Sequence, residues 1–187
     1  TRYSNGSVEI EDHGRGIPVD YNKNEQRYNW ELVFCELYAG GKYNNNEGNN
    51  YEYSLGLNGL GLCSTQYASK YMDVEIKRDG FKYNLHFEEG ENIGGLKKEP
   101  YAGKDTGTRT RWLPDNNVFT DTNIPVEFYE DVLKRQAVVN DGLVFVFKNQ
   151  ISASKFETKE FVYKNGILDY INETVGEEAG FIDTLMW

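Results

Sequence analysis

Residues 72–87 constrain the fold of this chain more than any other stretch. Met72, Val74 and Ile76 alternate with charged neighbours, and Phe81, Tyr83, Leu85 and Phe87 alternate with polar ones. A period of two puts each apolar set on one face of a strand. Asp79-Gly80 lies between the two runs, and that dipeptide accepts the positive φ angles of a tight hairpin turn. The expectation is an antiparallel pair with one apolar and one polar face. Such a face needs a second layer to cover it.

The rest of the pattern supplies that layer. Asn29 is a candidate helix cap, with Trp30, Val33, Phe34 and Leu37 at i, i+3, i+4 and i+7 and a stop at Gly40-Gly41. Residues 125–139 read as a second helix with Phe128, Val132 and Leu133 inward. Asn5-Gly6 reads as a hairpin turn whose first strand is mostly missing, followed by a half-buried strand with Val8 and Ile10 on one side. Further strands are expected at 108–113, 142–148 and 159–164, and loops after Pro18 and over 88–107. Residues 42–54, rich in Asn, are expected to form a mobile loop. The expected architecture is a two-layer α/β (α+β) sandwich, with helices on one face of a mixed sheet.

Composition narrows the function. The chain has 187 residues, which fits one domain, with 14 Tyr and 10 Phe, far too aromatic for a disordered chain. Its formal net charge of −10, with no Lys/Arg-rich run, argues against a DNA-contacting surface on this stretch. Two cysteines, Cys35 and Cys63, no CxxC and two His give zinc or disulfide frameworks little support. The expectation is two reduced, partly buried thiols in a cytoplasmic protein, with no signal peptide and no membrane span.

Four pieces carry chemistry. They are Asp12-His13-Gly14-Arg15-Gly16-Ile17-Pro18, Ala39-Gly40-Gly41-Lys42, Gly56-Leu57-Asn58-Gly59-Leu60-Gly61, and Thr106-Gly107-Thr108 running on to Asp115 and Phe119. Singly each has an ordinary reading: a turn former, a helix C-cap, a glycine turn, another turn. Together they suit one ligand. Glycines leading into a helix expose N–H groups to phosphates, and Lys42 adds a mobile cation. A buried Asp12 can accept from an exocyclic amino group. Gly14 and Gly16 let a flat base approach the backbone.

In order and spacing the pieces resemble the GHKL (Bergerat) ATP-binding fold of bacterial type II DNA topoisomerases, in the branch of gyrase B and topoisomerase IV B. The pattern DxGRGIP is matched by "DHGRGIP", HAGGKF by "YAGGKY", SGGLHGVG by "SLGLNGLG", TGTxVxFxPDxxxF by "TGTRTRWLPDNNVF", and NGxxDY by "NGILDY". His13, Leu55 and Asn58 depart from the family's Asn, Gly and His.

The resemblance implies ATP and Mg2+ as cofactors and ATP-competitive inhibitors as ligands. Asp12 would accept the adenine amino group, with Thr108 supporting it through water. Gly16, Ile17 and Pro18 would line the base pocket, with Arg15 and Arg78 at its rim. Leu57, Asn58, Gly59, Leu60 and Gly61 would serve the phosphates, Lys42 the terminal one, and Tyr51 would sit in the lid. The general-base Glu and the metal-holding Asn of the family are expected before Thr1, so no catalytic or metal residue is expected within 1–187. Residues 1–170 are then the ATPase domain lacking its N-terminal helices, and 171–187 the start of a linker to a transducer domain. The parent would act on DNA with a gyrase A-type cleavage subunit, as a dimer, away from membranes. The alternatives are another GHKL ATPase, of chaperone, mismatch-repair or histidine-kinase type, or a non-catalytic nucleotide-binding module.

Overall fold

The computed structural model describes residues 1–38 and 59–175. In chain order these form β1 (Val8–Glu11), β2 (Tyr21–Asn22), β3 (Arg27–Tyr28), α1 (Asn29–Cys35), α2 (Gly61–Tyr67), β4 (Ser69–Arg78), β5 (Phe81–Glu88), β6 (Glu91–Asn92), β7 (Lys97–Pro100), β8 (Gly107–Pro114), α3 (Val126–Val139), β9 (Phe145–Ser152), β10 (Lys155–Phe161) and α4 (Ile167–Val175). They fall into two compact units, Asn5–Thr122 and Thr1–Ser4 with Asn123–Trp187. The Asn-rich stretch, with Lys42, Tyr51, Leu57 and Asn58, lies outside the described residues.

In the Asn5–Thr122 unit the sheet order is β1-β8-β4-β5-β6, with β7 also on β5. Every pairing in it is antiparallel. The hairpin expected over residues 72–87 is present: Arg78 pairs with Phe81, and Asp79 and Gly80 have φ of 53° and 75°. Met72, Val74, Ile76, Tyr83, Leu85 and Phe87 form one buried face, on which Phe34 and Val19 sit with Trp30, Val33, Cys35 and Leu62 around them. Helices α1 and α2 therefore cover one side. Met72, Ile76, Phe34 and Phe87 are essentially inaccessible, and burying each such side chain stabilises the fold by about 1.5–3 kcal/mol. The other side carries Asp73, Glu75, Lys77, Asn84 and His86, as the alternation requires. Both thiols are free, Cys63 wholly buried, and burial pushes the Cys35 thiol up to about 11.

Several local expectations are corrected. Helix α1 begins one residue after Tyr28, whose N–H donates to Glu31 Oε2 at 2.7 Å, so Asn29 does not cap it. Asn29 is buried instead and accepts from Asn22 Nδ2 at 3.2 Å. The helix ends at Cys35, because Glu36 turns extended and Tyr38 takes φ of 63°, leaving Leu37 exposed. Val8 is buried but Ile10 is 61% exposed, so β1 is not uniformly half-buried. The loop after Pro18 contains the β2–β3 hairpin, and 88–107 contains β6 and β7.

In the other unit, Arg2 bridges in parallel to Asn149 of β9, so the residues before Asn5 do not form a hairpin partner for β1. Strands β9 and β10 are antiparallel. Tyr129 of α3 stacks on Phe147, with ring centroids 5.8 Å apart, and Ala137 is fully buried. Phe128 and Val132, expected inward, are exposed, because the inner stripe of α3 runs one residue further round, half-buried at Tyr129 and Leu133 and buried at Ala137. The NGILDY segment opens α4, which continues through Val175.

Candidate functional site

Strand β1 stops at Glu11, and the chain turns at once under the start of β8. The Asp12 N–H donates to Thr108 O at 2.9 Å. Asp12 Oδ1 accepts from the Gly14 N–H at 2.8 Å and the Thr108 N–H at 3.3 Å. Two further bonds close the turn: Thr106 Oγ1 donates to Gly14 O at 2.7 Å, and the Ile17 N–H donates to Thr108 Oγ1 at 3.1 Å. The carboxylate is therefore oriented by backbone donors on one of its oxygens. Such bonds to a charged acceptor are stronger than neutral ones. The side chain of Asp12 is exposed, not buried as expected, because turn backbone packs against it from one side only.

Two glycines make this approach possible. A Cβ on Gly107, which has φ of 150°, would lie 2.0 Å from Asp12 O. A Cβ on Gly16, at φ of 76°, would meet Lys77 O at 2.9 Å and Ile76 Cγ2 at 3.0 Å. Only glycine lets the turn lie this close to β4 and β8. Arg78 Nη1 then donates to Gly16 O at 3.2 Å, while its Nε pairs with Asp79 Oδ2 at 2.9 Å. Ile17 packs on the apolar core cluster, and Leu62, in the first turn of α2, packs on the same cluster.

Of the residues expected at the site, the structure therefore brings Asp12, Gly16, Ile17, Arg78 and Thr108 together directly. Arg15 and Pro18 lie in the same turn. Gly59, Leu60 and Gly61 sit at the start of α2, Leu60 being its N-cap and Gly59 having φ of 60°. Sequence reasoning named Thr106 and Gly107 only as motif members; their closeness to Gly14 and Asp12 gives them structural work. Ile10, two residues before Asp12, is an exposed apolar side chain whose register partner is the buried Thr110.

Beside the turn, Asp105 accepts from Lys77 Nζ at 2.9 Å and from Tyr101 OH at 2.7 Å. These donors, Tyr101 first, hold its carboxyl down at about 2, and the bond to Asp105 raises the Lys77 ammonium. A larger cleft, about 440 Å3, lies on the polar face between Glu9, Asp73, Glu75, His86, Lys97 and Arg109. Its charges largely satisfy one another: Arg109 pairs with Glu75 at 3.2 Å, and His86 with Asp73 at 2.6 Å. Size alone does not make it the better site, because these charged groups are already committed to one another. Among the described residues no group of three His, Cys, Asp or Glu could hold a metal ion. Among them, too, no helix is long and apolar enough to cross a membrane.

Comparisons with known proteins bear on this geometry. No family model matches the chain. The B subunit of DNA topoisomerase 4 from Salmonella typhimurium is 36% identical over 174 residues, covering 92% of this chain and 27% of that protein. The B subunit of DNA gyrase from Thermotoga maritima is 34% identical over 171 residues, covering 91% and 26%. The chain thus spans about a quarter of the length of the curated relatives it matches. Among solved structures, the topoisomerase IV ATP-binding domain of Francisella tularensis, in complex with a small-molecule inhibitor, superposes with a TM-score of 0.74 at 26% identity, over 100% of this chain and 48% of that one. The 43K ATPase domain of Thermus thermophilus gyrase B, in complex with an aminocoumarin, gives a TM-score of 0.74 at 23% identity, over 96% and 43%, and speaks for the fold. Over nine tenths of its length the chain is homologous to the B subunits of topoisomerase IV and gyrase, and its fold is that of their GHKL ATPase domain.

Proposed function

We propose that this chain binds ATP with the adenine at the edge formed by Asp12 and Thr108. The observation that carries the reading is the orientation of Asp12: Oδ1 is occupied by the Gly14 and Thr108 N–H groups. Oδ2 then accepts the exocyclic amino group of the base. Ile10, Ile17 and Pro18 supply apolar surface for the ring, and Gly16 lets the turn that carries Ile17 and Pro18 lie close against β4. The Thr108 hydroxyl already accepts from Ile17, so its proton is available to a water beside the ring nitrogens. Arg15 and Arg78 flank the rim. Gly59, Leu60 and Gly61, with Lys42, Tyr51, Leu57 and Asn58, serve the triphosphate. ATP-competitive inhibitors take the base end of the same site.

On this reading residues 1–170 form the nucleotide domain and 171–187 lead towards a transducer. The whole protein is an ATP-driven type II topoisomerase of the cytoplasm that works on DNA as a dimer with a gyrase A-type cleavage subunit. The relatives at 34–36% identity favour this branch over the chaperone, mismatch-repair and kinase branches. Magnesium would accompany the triphosphate and neutralise its charge. The described residues offer it no set of three ligands, and the binding steps above use the protein's own donors alone. On this reading Asp12 serves the base end and not the attacking water, so the 187-residue chain binds nucleotide without hydrolysing it.

Calorimetric titration with ADP tests the reading. The unmodified chain binds, and Asp12→Ala weakens binding by at least about tenfold, as loss of a charge-assisted hydrogen bond of roughly 1.5–3 kcal/mol requires. Equal affinity in the two proteins would remove Asp12 from the site.

A further inference from the structure

Residues 101–106 join β7 to β8 and deliver Thr106, Gly107 and Thr108 to the turn at Asp12. The start of this loop is tied by the Tyr101 N–H to Gly80 O at 2.9 Å, and its end by Thr106 to Gly14 at 2.7 Å. Between those points Gly103 and Lys104 are exposed, while Asp105 reaches back to the sheet. It binds Lys77, and Lys77 is the cross-strand register partner of Gly107, the residue pressed against Asp12. Neighbouring residues of β4 point to opposite faces. Arg78 therefore holds Gly16 on one side of the strand while Lys77 holds Asp105 on the other. The Tyr101 ring lies over Gly103, where a Cβ would come within 2.3 Å of Tyr101 Cζ, and its hydroxyl completes the contact to Asp105.

We infer that Lys77, Asp105 and Tyr101 form a positioning brace that sets Thr106–Thr108 against Asp12 for recognition of the adenine amino group. This rests on the adenine-site reading. None of the three touches the base; they act through the Gly107–Thr108 backbone, which donates to Asp12 Oδ1. The side chains of Lys77 and Asp105 are 25% and 54% exposed. An ion pair that open to solvent adds little to global stability. Its loss is therefore felt in the alignment of the recognising groups more than in folding.

The test measures ADP and inosine diphosphate affinity, together with the urea midpoint, for the 187-residue chain and three variants. Inosine diphosphate lacks the amino group that Asp12 reads. Asp105→Asn is expected to bind ADP about fivefold more weakly, a loss of the size one exposed ion pair supplies. Its inosine diphosphate affinity and urea midpoint stay near those of the parent. Gly103→Ala, which displaces the Tyr101 ring, gives the same pattern. Exchanging the charges, Lys77→Asp with Asp105→Lys, restores most of the ADP preference. Unchanged ADP affinity in Asp105→Asn overturns the brace. So does an equal loss for both nucleotides with a lower midpoint, which would make the contact merely structural. No ADP binding by the unmodified chain overturns the adenine-site reading itself.

Discussion

Gly107→Ala probes a backbone contact that only glycine allows. The added methyl would lie 2.0 Å from Asp12 O, 3.0 Å from Asp12 C and 3.2 Å from His13 Cα, all backbone atoms with no side-chain freedom to yield. At φ of 150° the alanine is strained as well, a penalty of about 1–3 kcal/mol. Relief requires β8 to separate from the Asp12 turn. That separation breaks the Asp12–Thr108 backbone bond of 2.9 Å and the Thr108–Asp12 Oδ1 bond of 3.3 Å, each contributing about 1 kcal/mol. The expected destabilisation is about 3–5 kcal/mol, large against the 5–15 kcal/mol of a typical domain. Urea unfolding followed by circular dichroism measures it, and calorimetry on the same protein should show ADP binding lost. A variant within about 1 kcal/mol of the parent that still binds ADP would refute the claim that Gly107 permits the contact on which the site depends.

Two further outcomes follow from the structure. His86 lies between Asp73 Oδ1 at 2.6 Å and Glu88 Oε1 at 3.1 Å, and these hydrogen bonds, Asp73 first, raise the imidazole above its ordinary range near 6.5. A raised folded value means its contribution is complete below the unfolded value and is lost as pH rises through the folded one. Stability of the parent should therefore fall over that window by more than in His86→Asn, read from urea midpoints across pH; parallel profiles would contradict the assignment. On the adenine-site reading the 187-residue chain should also show no steady ATP hydrolysis with magnesium, since Asp12 would be engaged at the base end and not beside the attacking water. Turnover that disappears in Asp12→Ala, which excludes a contaminant, would show a base supplied by the chain itself.

The parts of the fold legible in the sequence were those set by local rules. Period two and Asp79-Gly80 placed β4 and β5, and their apolar set is the core. The parts misread were decided by tertiary contact. Leu37 continues a helical spacing, yet Glu36 is already extended and the helix has ended. Phe128 and Val132 look like the inner stripe of α3, but Tyr129 stacks on Phe147 and rotates that stripe by one residue. At the site, motif order, with the family resemblance for Arg78, marked Asp12, Gly16, Arg78 and Thr108 as one group. It could not show that Asp105, 28 residues from Lys77, bonds it behind Gly107, because a long-range ion pair leaves no periodic trace. The exposed state of Asp12 was equally hidden, since a turn residue carries no hydropathy signal.

The proposed function requires that adenine bind at the Asp12 turn and not in the larger polar cleft. Amide 15N–1H shifts of the labelled chain, followed during titration with ADP, decide between the two. Binding at the turn predicts saturable shifts at Gly14, Ile17 and Thr108, whose N–H groups bond Asp12 or Thr108, with Asn84, His86 and Gly95 of the cleft left in place. Shifts confined to Asn84, His86 and Gly95, with Gly14, Ile17 and Thr108 unmoved, would contradict it.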